Sequence, residues 1–309
     1  MLAISRHFSI LPWVCYLRRV QFLSMDKLMG VVILYHPDTN ALMAHLHSYL
    51  SIVDHLLLLD NSESPSASLE EALAKEGSNK IQYRHFGENR GIAERLNQAI
   101  ESAKSLGYRF LLTMDQDTGF QPGQMLQYWQ KVQDNQLDKV VQFGANCQPD
   151  FTTISNKPQQ TNNLITSGTI LDLSLIDQIG TFDEALFIDF VDTEFSFRVV
   201  EKGYRNLLFA DIVLQHRIGY LKMGRSIKNL KSSARILHAP IRVYYILRNG
   251  LYLLFKSPFV KGENRKLLLS NMKILKNDLI YHNQKGAVYS NVLSAVYDFV
   301  FGKMGKKQS

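Results

Sequence analysis

The 309-residue sequence contains two cysteines, Cys15 and Cys147. So few, and so far apart, they exclude a disulfide-stapled scaffold and a cysteine zinc site. A reducing, intracellular setting is the default expectation. Nowhere do about 18 to 20 uncharged apolar residues run together, so no spanning helix is expected. No G-x-G-x-x-G follows the first apolar segment, and G-x-x-x-x-G-K-[ST] is absent throughout. Neither the usual dinucleotide fingerprint nor a P-loop is available, and the phosphates of any nucleotide must be met by other groups.

Acidic residues are scarce in the last third. Residues 217–309 hold 18 Lys and Arg against 3 Asp and Glu, within a chain of net charge +7. The front is therefore acidic and the back strongly basic, an asymmetry that suits an anionic membrane surface or nucleic acid. No nucleic-acid motif accompanies it, and a nucleic-acid binder would leave the acidic front unexplained. The opening 24 residues carry a short apolar patch from Phe8 to Leu17 with Arg18 and Arg19 behind it. A secretory signal places its charges in front, so residues 1–28 read either as an interfacial helix or as extra sequence upstream of Met25 or Met29.

The hydrophobic content of 46% is that of an ordinary globular protein, and its pattern is informative. Apolar runs occur at GVVILYHPD (30–38), HLLLLDNSES (55–64), KIQYRHF (80–86) and FLLTM (110–114). Helical patterns separate them, clearest where Ile92, Leu96, Ile100 and Ala103 recur before Gly107. Strand and helix alternating in this way predict an α/β fold with a mainly parallel sheet flanked by helices. The stretch MDQDTGF places Asp115 and Asp117 where the fourth strand opens into a loop, the edge at which such sheets bind ligands. Two carboxylates so close need a cation or hydrogen-bond donors, and oxygen donors suit Mg²⁺ or Mn²⁺, which also bind diphosphate oxygens.

Further along, Gly168 stands in a TSGT turn where backbone can approach a ligand. Asp183, Glu184, Asp189, Asp192 and Glu194 then crowd the start of a helix, where the helix dipole alone would favour acids. Asp192 is the candidate working carboxylate, with Asp189 as the alternative. His216 ends a strand, free to reach a cation as neutral imidazole. From Pro240 the segment IRVYYILRNGLYLLFK is an aromatic, apolar helix with basic flanks. Core packing and docking at a membrane interface are equally good readings of it. Residues 288–301 and the GKMGKKQS end repeat the pattern.

The segments YHPD, LLLLDNSE, ENRGIAERLNQAI, MDQDTGF, TSGTIL, IGTFDEALFIDFVDTEFSFR, HRIG and VYYILRN occur in one order. In that order the chain, over roughly residues 29 to 255, resembles family-2 glycosyltransferases, and among them the bacterial rhamnosyltransferases of cell-surface polysaccharide (O-antigen) synthesis. The resemblance implies a GT-A fold over residues 29–216, followed by a basic helical region over 217–309. It implies a nucleotide-diphosphate sugar donor, dTDP-L-rhamnose by analogy, a divalent metal and inversion at the anomeric carbon. Asp60, Asn61, Asn89, Gly91, Asp115 and Gly168 would line the donor pocket. Asp117 and His216 would hold the metal, and Asp192 would be the general base. The acceptor would be a lipid-linked or polysaccharide glycan. The enzyme would be cytoplasmic, peripheral on the inner face of the bacterial plasma membrane, with no nucleic-acid partner. The Q-x-x-R-W motif of processive members is missing, which implies addition of a single sugar.

Two other readings compete. D-x-D-x-T after an apolar strand also opens haloacid-dehalogenase-type phosphatases, with Asp115 as nucleophile and Asp117 as acid/base. That motif belongs on a first strand, whereas here it stands on the fourth, and no G-D-x-x-x-D or D-D follows late in the chain. A protein that binds nucleotide sugars without turning them over would also carry these carboxylates.

Overall fold

The computed structural model describes residues 26–147, 155–216, 220–225 and 232–308. The N-terminal extension up to residue 25, the start of the polar stretch at 148–154 and residues 217–219 of HRIG lie outside them.

The four apolar runs form strands β1 (Leu28–Leu34), β2 (His55–Asp60), β3 (Ile81–His85) and β4 (Phe110–Asp115), all parallel, in the order β3-β2-β1-β4. Alternate residues enter different cores. Leu28, Val32, Leu56 and Leu58 pack on one face, while Met29, Val31, Leu57 and Leu59 pack on the other. Burial of both faces explains why these strands read as continuous apolar runs. Each such side chain contributes about 1.5–3 kcal/mol when fully buried. Helices α1 (Thr39–His47), α2 (Ala67–Glu76) and α4 (Gln124–Asp134) cover the first face. The second is covered by α3 (Ile92–Ser105) and α6 (Val191–Glu201), with the short α5 (Ile176–Ile179) beside them.

Strands β5 (Thr118–Phe120), β6 (Val140–Asn146), β7 (Gln159–Thr161), β8 (Thr169–Asp172) and β9 (Arg205–His216) complete a nine-stranded sheet. Among them β8 runs antiparallel between β4 and β6, and β5 and β7 run antiparallel to β9. The other six strands share one direction. Chain order reverses at β1, with β2 on one side and β4 on the other. The carboxyl edge beside such a reversal is where a ligand crevice opens.

The sequence predicts a helical region over 217–309, and the structure departs from that. The region begins with a two-stranded antiparallel sheet, β10 (Tyr220–Arg225) and β11 (Ser232–Leu237). The basic charge that marks this segment carries no backbone preference, and pairing with a neighbouring strand decides its conformation. Helices α7 (Pro240–Lys256), α8 (Gly262–Met272), α9 (Leu275–Tyr281) and α10 (Lys285–Val300) follow.

Of the two readings of α7, core packing is the one seen. Val243, Tyr244, Tyr245, Ile246, Arg248, Asn249 and Leu253 are buried. The Asn249 Nδ2 group donates to the carbonyls of Leu186, Ile188 and Asp189 at 2.8, 2.8 and 2.9 Å. The Gly305 amide donates to the Ala185 carbonyl, and Arg248 Nη1 donates to the Gly305 carbonyl. Packing thus runs continuously across residue 216, and α7 with the chain's end grips the loop that precedes α6.

Candidate active site

Strands β1 to β4 each lead a polar residue to one edge of the sheet. Tyr35 follows β1, Asn61 follows β2, Asn89 follows β3, and Asp115 closes β4. Together they border a cleft of about 550 Å³. Its lining includes six of the nine residues assigned to the site from the sequence: Asn61, Asn89, Gly91, Asp115, Asp117 and Asp192. Asp189, Phe187 and Arg242 complete the opposite wall.

The remaining three lie elsewhere or beyond description. Asp60 is fully buried behind the cleft, its carboxylate accepting from the Ser62 amide at 2.8 Å and the Tyr83 hydroxyl at 2.7 Å. Gly168 does not line the cleft. Its φ of +72° favours glycine, and a Cβ there would meet Leu214 Cδ1 at 2.6 Å, so the backbone before β8 approaches a side chain of β9 closely. His216 pairs through its backbone with Thr118, beside Asp117. Its side chain is outside the described residues.

Asn61 lines the cleft, yet its amide is already engaged. Its Oδ1 accepts from Arg95 Nε at 2.6 Å, and its Nδ2 donates to the Gly91 carbonyl at 3.0 Å. Arg95 is itself buried, with its guanidinium 3.6 Å above the Phe86 ring. The side chain therefore ties the end of β2 to the turn that starts α3. That turn needs glycine. Gly91 has φ +89° and ψ 174°, a region essentially closed to other residues, and an added Cβ would lie 2.5 Å from the Phe187 carbonyl oxygen.

Phe187 belongs to a strained loop. Phe187, Asp189 and Phe190 all have φ between 62° and 64°, a conformation that costs non-glycine residues about 1–3 kcal/mol each. Three sets of contacts offset the strain: the Asn249 amide described above, the Ile92 amide on the Phe187 carbonyl at 2.7 Å, and the Arg242–Asp189 ion pair. The loop turns Asp189 toward the cleft and starts α6 with Asp192 in its first turn.

The carboxylates there are unequal. Burial pushes the Asp115 carboxyl up to about 7, the charges of Asp117 and Asp192 add to the rise, and Arg242 opposes it. Asp192 is also held above the ordinary carboxylate range, by burial first and by the charge of Asp189. Amides of Thr193 (2.7 Å) and Thr166 (3.3 Å) donate to it and limit the rise. Asp189 is committed to Arg242 through both of its oxygens. A carboxylate with raised proton affinity and a fixed orientation is what a general base requires, and Asp192 fits that description better than Asp189.

Among the described residues no three His, Cys, Asp or Glu side chains converge into a ready-made metal cage. Mg²⁺ and similar ions in nucleotide sites take one or two carboxylates and complete their shell with water and phosphate oxygens. The hard oxygen donors of Asp115 and Asp117 fit that mode, and the rise at Asp115, due first to burial and then to the charges of Asp117 and Asp192, shows that a nearby cation would favour its ionised form.

Residues 40–192 match the family model described as "Glycosyl transferase family 2". The chain is 25% identical over 250 residues to the dTDP-rhamnosyl transferase RfbF of Shigella flexneri, an alignment covering 75% of this chain and 81% of that one. Among solved structures it superimposes on the mannosyltransferase PcManGT of Pyrobaculum calidifontis, solved in complex with GDP-Man and Mn²⁺, with a TM-score of 0.54 and 12% identity. That superposition covers 94% of this chain and 95% of the other. It also matches residues 1–349 of TarS from S. aureus, solved in complex with UDP-GlcNAc, with a TM-score of 0.55 and 13% identity over 89% and 80% of the two chains. Fold and family thus define a glycosyltransferase of the GT-A class, and the phosphatase reading of D-x-D-x-T gives way. Residues 40–192 are a family-2 glycosyltransferase domain, and the chain resembles the rhamnosyltransferases of that family.

Arg242 of this wall, and Tyr245, Asn249 and Arg95 that support it from behind, are not among the candidates the sequence offers. Arg242, Tyr245 and Asn249 recur at i, i+3 and i+7, a polar stripe on an apolar helix that could have been noticed. Arg95, on the buried face of α3, gives no such signal.

For Asp192 acting as the base, kcat/KM should fall on the acid side at a pH above the ordinary carboxylate value of about 4. Asp192→Asn should lower kcat by about 10²–10⁴-fold, while Asp189→Asn keeps the acid limb in place. Retained turnover in Asp192→Asn, or loss of the limb in Asp189→Asn alone, would move the base to Asp189.

Proposed function

We propose that this protein is a metal-dependent, inverting glycosyltransferase that moves a single sugar from a nucleoside-diphosphate donor to a glycan acceptor. The observation that carries the reading is the meeting of Asp115, Asp117 and Asp192, from β4, its following loop and α6, in one cleft at the carboxyl edge of the sheet. The donor is dTDP-L-rhamnose, a choice that rests on likeness to a dTDP-rhamnosyl transferase.

The nucleoside lies along the ends of β1 to β3, bordered by Tyr35, Asn61, Asn89 and Gly91. Asp60 acts from behind that wall through Tyr83 and Ser62. Asp117 and Asp115 would hold Mg²⁺ or Mn²⁺, with His216, whose backbone pairs with Thr118, as the further candidate ligand. When bound there, the cation supplies positive charge for the negative charge that develops on the leaving group. Asp192 accepts the proton of the acceptor hydroxyl as its oxygen bonds to the anomeric carbon, on the face opposite the departing diphosphate. The strained loop and its Asn249 anchor keep that carboxylate in place.

The acceptor is lipid-linked or a growing polysaccharide, and the enzyme works at an anionic membrane surface, on the inner face of the bacterial plasma membrane. No helix among the described residues is long and apolar enough to cross a membrane. The C-terminal helices instead present an exposed apolar ridge: Phe255, Leu293, Tyr297, Val300 and Phe301, with Leu293 72% exposed. Lys256 and Lys303 sit over the Phe299 and Tyr297 rings. Aromatic and aliphatic groups edged by lysines suit an interface of anionic headgroups and acyl chains.

Turnover of a panel of nucleotide sugars, with Mn²⁺ or with EDTA and with a membrane lipid extract as acceptor source, tests the chemistry. Nucleoside diphosphate should be released from dTDP-L-rhamnose, and EDTA or Asp117→Ala should each abolish release. Release unaffected by EDTA would remove the metal from the account, and preference for another donor would replace the sugar. Co-sedimentation with vesicles tests the docking. Binding should require anionic lipid, weaken with salt and be lost in Leu293→Asp/Val300→Asp. Equal binding to neutral vesicles, or none to either, would contradict it.

A further inference from the structure

The cleft wall carries four carboxylates, Asp115, Asp117, Asp189 and Asp192, and among its described lining residues the one cation is Arg242. A dianionic diphosphate could not enter such a wall without positive charge to meet it. Arg242 stands in the first turn of α7 and uses its Nε–Nη2 edge on Asp189. The two partners are unevenly placed: the Asp189 side chain is 6% exposed and that of Arg242 49%. The acid is thus nearly covered, and the arginine is half-exposed where it lines the cleft. A guanidinium has five N–H donors. Asp189 takes one from Nε and one from Nη2, and the Nη1 pair has no acceptor among the described residues. The charges of Asp115 and Asp192 also favour its cationic form, so it lies within electrostatic reach of both.

An arginine oriented along one edge by a buried acid, with its other edge open to a cleft, has the geometry for bidentate capture of an oxyanion. We infer that Arg242 is a donor-binding residue whose open edge receives phosphate oxygens of the donor's diphosphate, and that Asp189 is its positioning residue. The inference rests on the reading of this cleft as the donor site. It also gives Asp189 a role distinct from that of the base. The competing explanation is purely structural, with Arg242 serving to hold the strained loop through Asp189.

Calorimetric binding of dTDP and dTMP, with UDP/UMP and GDP/GMP run in parallel, separates the two. Each pair is measured in EDTA and in Mn²⁺ on wild type, Arg242→Met, Arg242→Lys and Asp189→Asn, with melting temperatures taken alongside. The expected result is a preference of wild type for diphosphate over monophosphate that falls about tenfold in Arg242→Met, in EDTA as well as in Mn²⁺. Arg242→Lys should recover part of it as a point charge, and Asp189→Asn should lose less than Arg242→Met. Mono- and diphosphate weakened equally in Arg242→Met would assign the residue to the loop alone. An unchanged preference would also overturn the inference. Wild-type protein that binds no diphosphate in either condition would remove the donor site itself, and with it both the inference and the reading on which it rests.

Discussion

The convergence of carboxylates at the carboxyl edge of the sheet is the constraint on which the rest depends. Asp115 and Asp117 come from the end of β4 and the loop beyond it, Asp192 from the first turn of α6, and all three line one cleft. Like charges withdrawn from water repel one another and favour protonation, as the raised Asp115 records. Such an arrangement is costly in a resting protein and becomes favourable when positive charge and a ligand arrive together. A nucleoside diphosphate accompanied by a divalent cation meets that condition. The family-2 match over residues 40–192 accords with that reading.

The carboxylates need more than a sheet to hold them. Asp192 follows a loop with three non-glycine residues at positive φ, which would relax if left to itself. Its restraints come from far along the chain: Asn249 and Arg242 on α7, and the Gly305 amide near the end. The basic C-terminal region therefore supports the cleft on its inner side, where α7 packs, and presents its apolar ridge on the outer side. One segment can thus serve both the core and a surface, because the faces of its helices differ.

Much of this was legible in the sequence because local chemistry decides it. Strands β1 to β4 announce themselves as apolar runs ended by polar residues, being buried on both faces. Asp115 and Asp117 stand out because two acids so close, directly after such a run, repel one another unless a cation or hydrogen-bond donors hold them. The spacing of Ile92, Leu96 and Ile100 specified α3. What was not legible depends on contacts distant in sequence. Arg242 meets Asp189 across 53 residues and Asn249 meets Leu186 across 63, and no local pattern encodes such pairings. Gly168 has a positive φ, as a turn glycine should, but only the packed Leu214 shows that the neighbour is a strand. The balance between core helix and membrane helix for residues 240–256 was even because both environments select the same aromatic and apolar composition.

The most direct test of the cleft's role is a crystal structure of the protein grown with Mn²⁺ and dTDP, with diffraction recorded so that manganese is located by its anomalous signal. The account predicts one strong anomalous peak in the cleft, bonded to Asp117 and to diphosphate oxygens, with the base bordered by Tyr35 and Asn89. Diphosphate bound in the cleft without manganese at Asp117, or manganese and nucleotide bound away from these carboxylates, would contradict it.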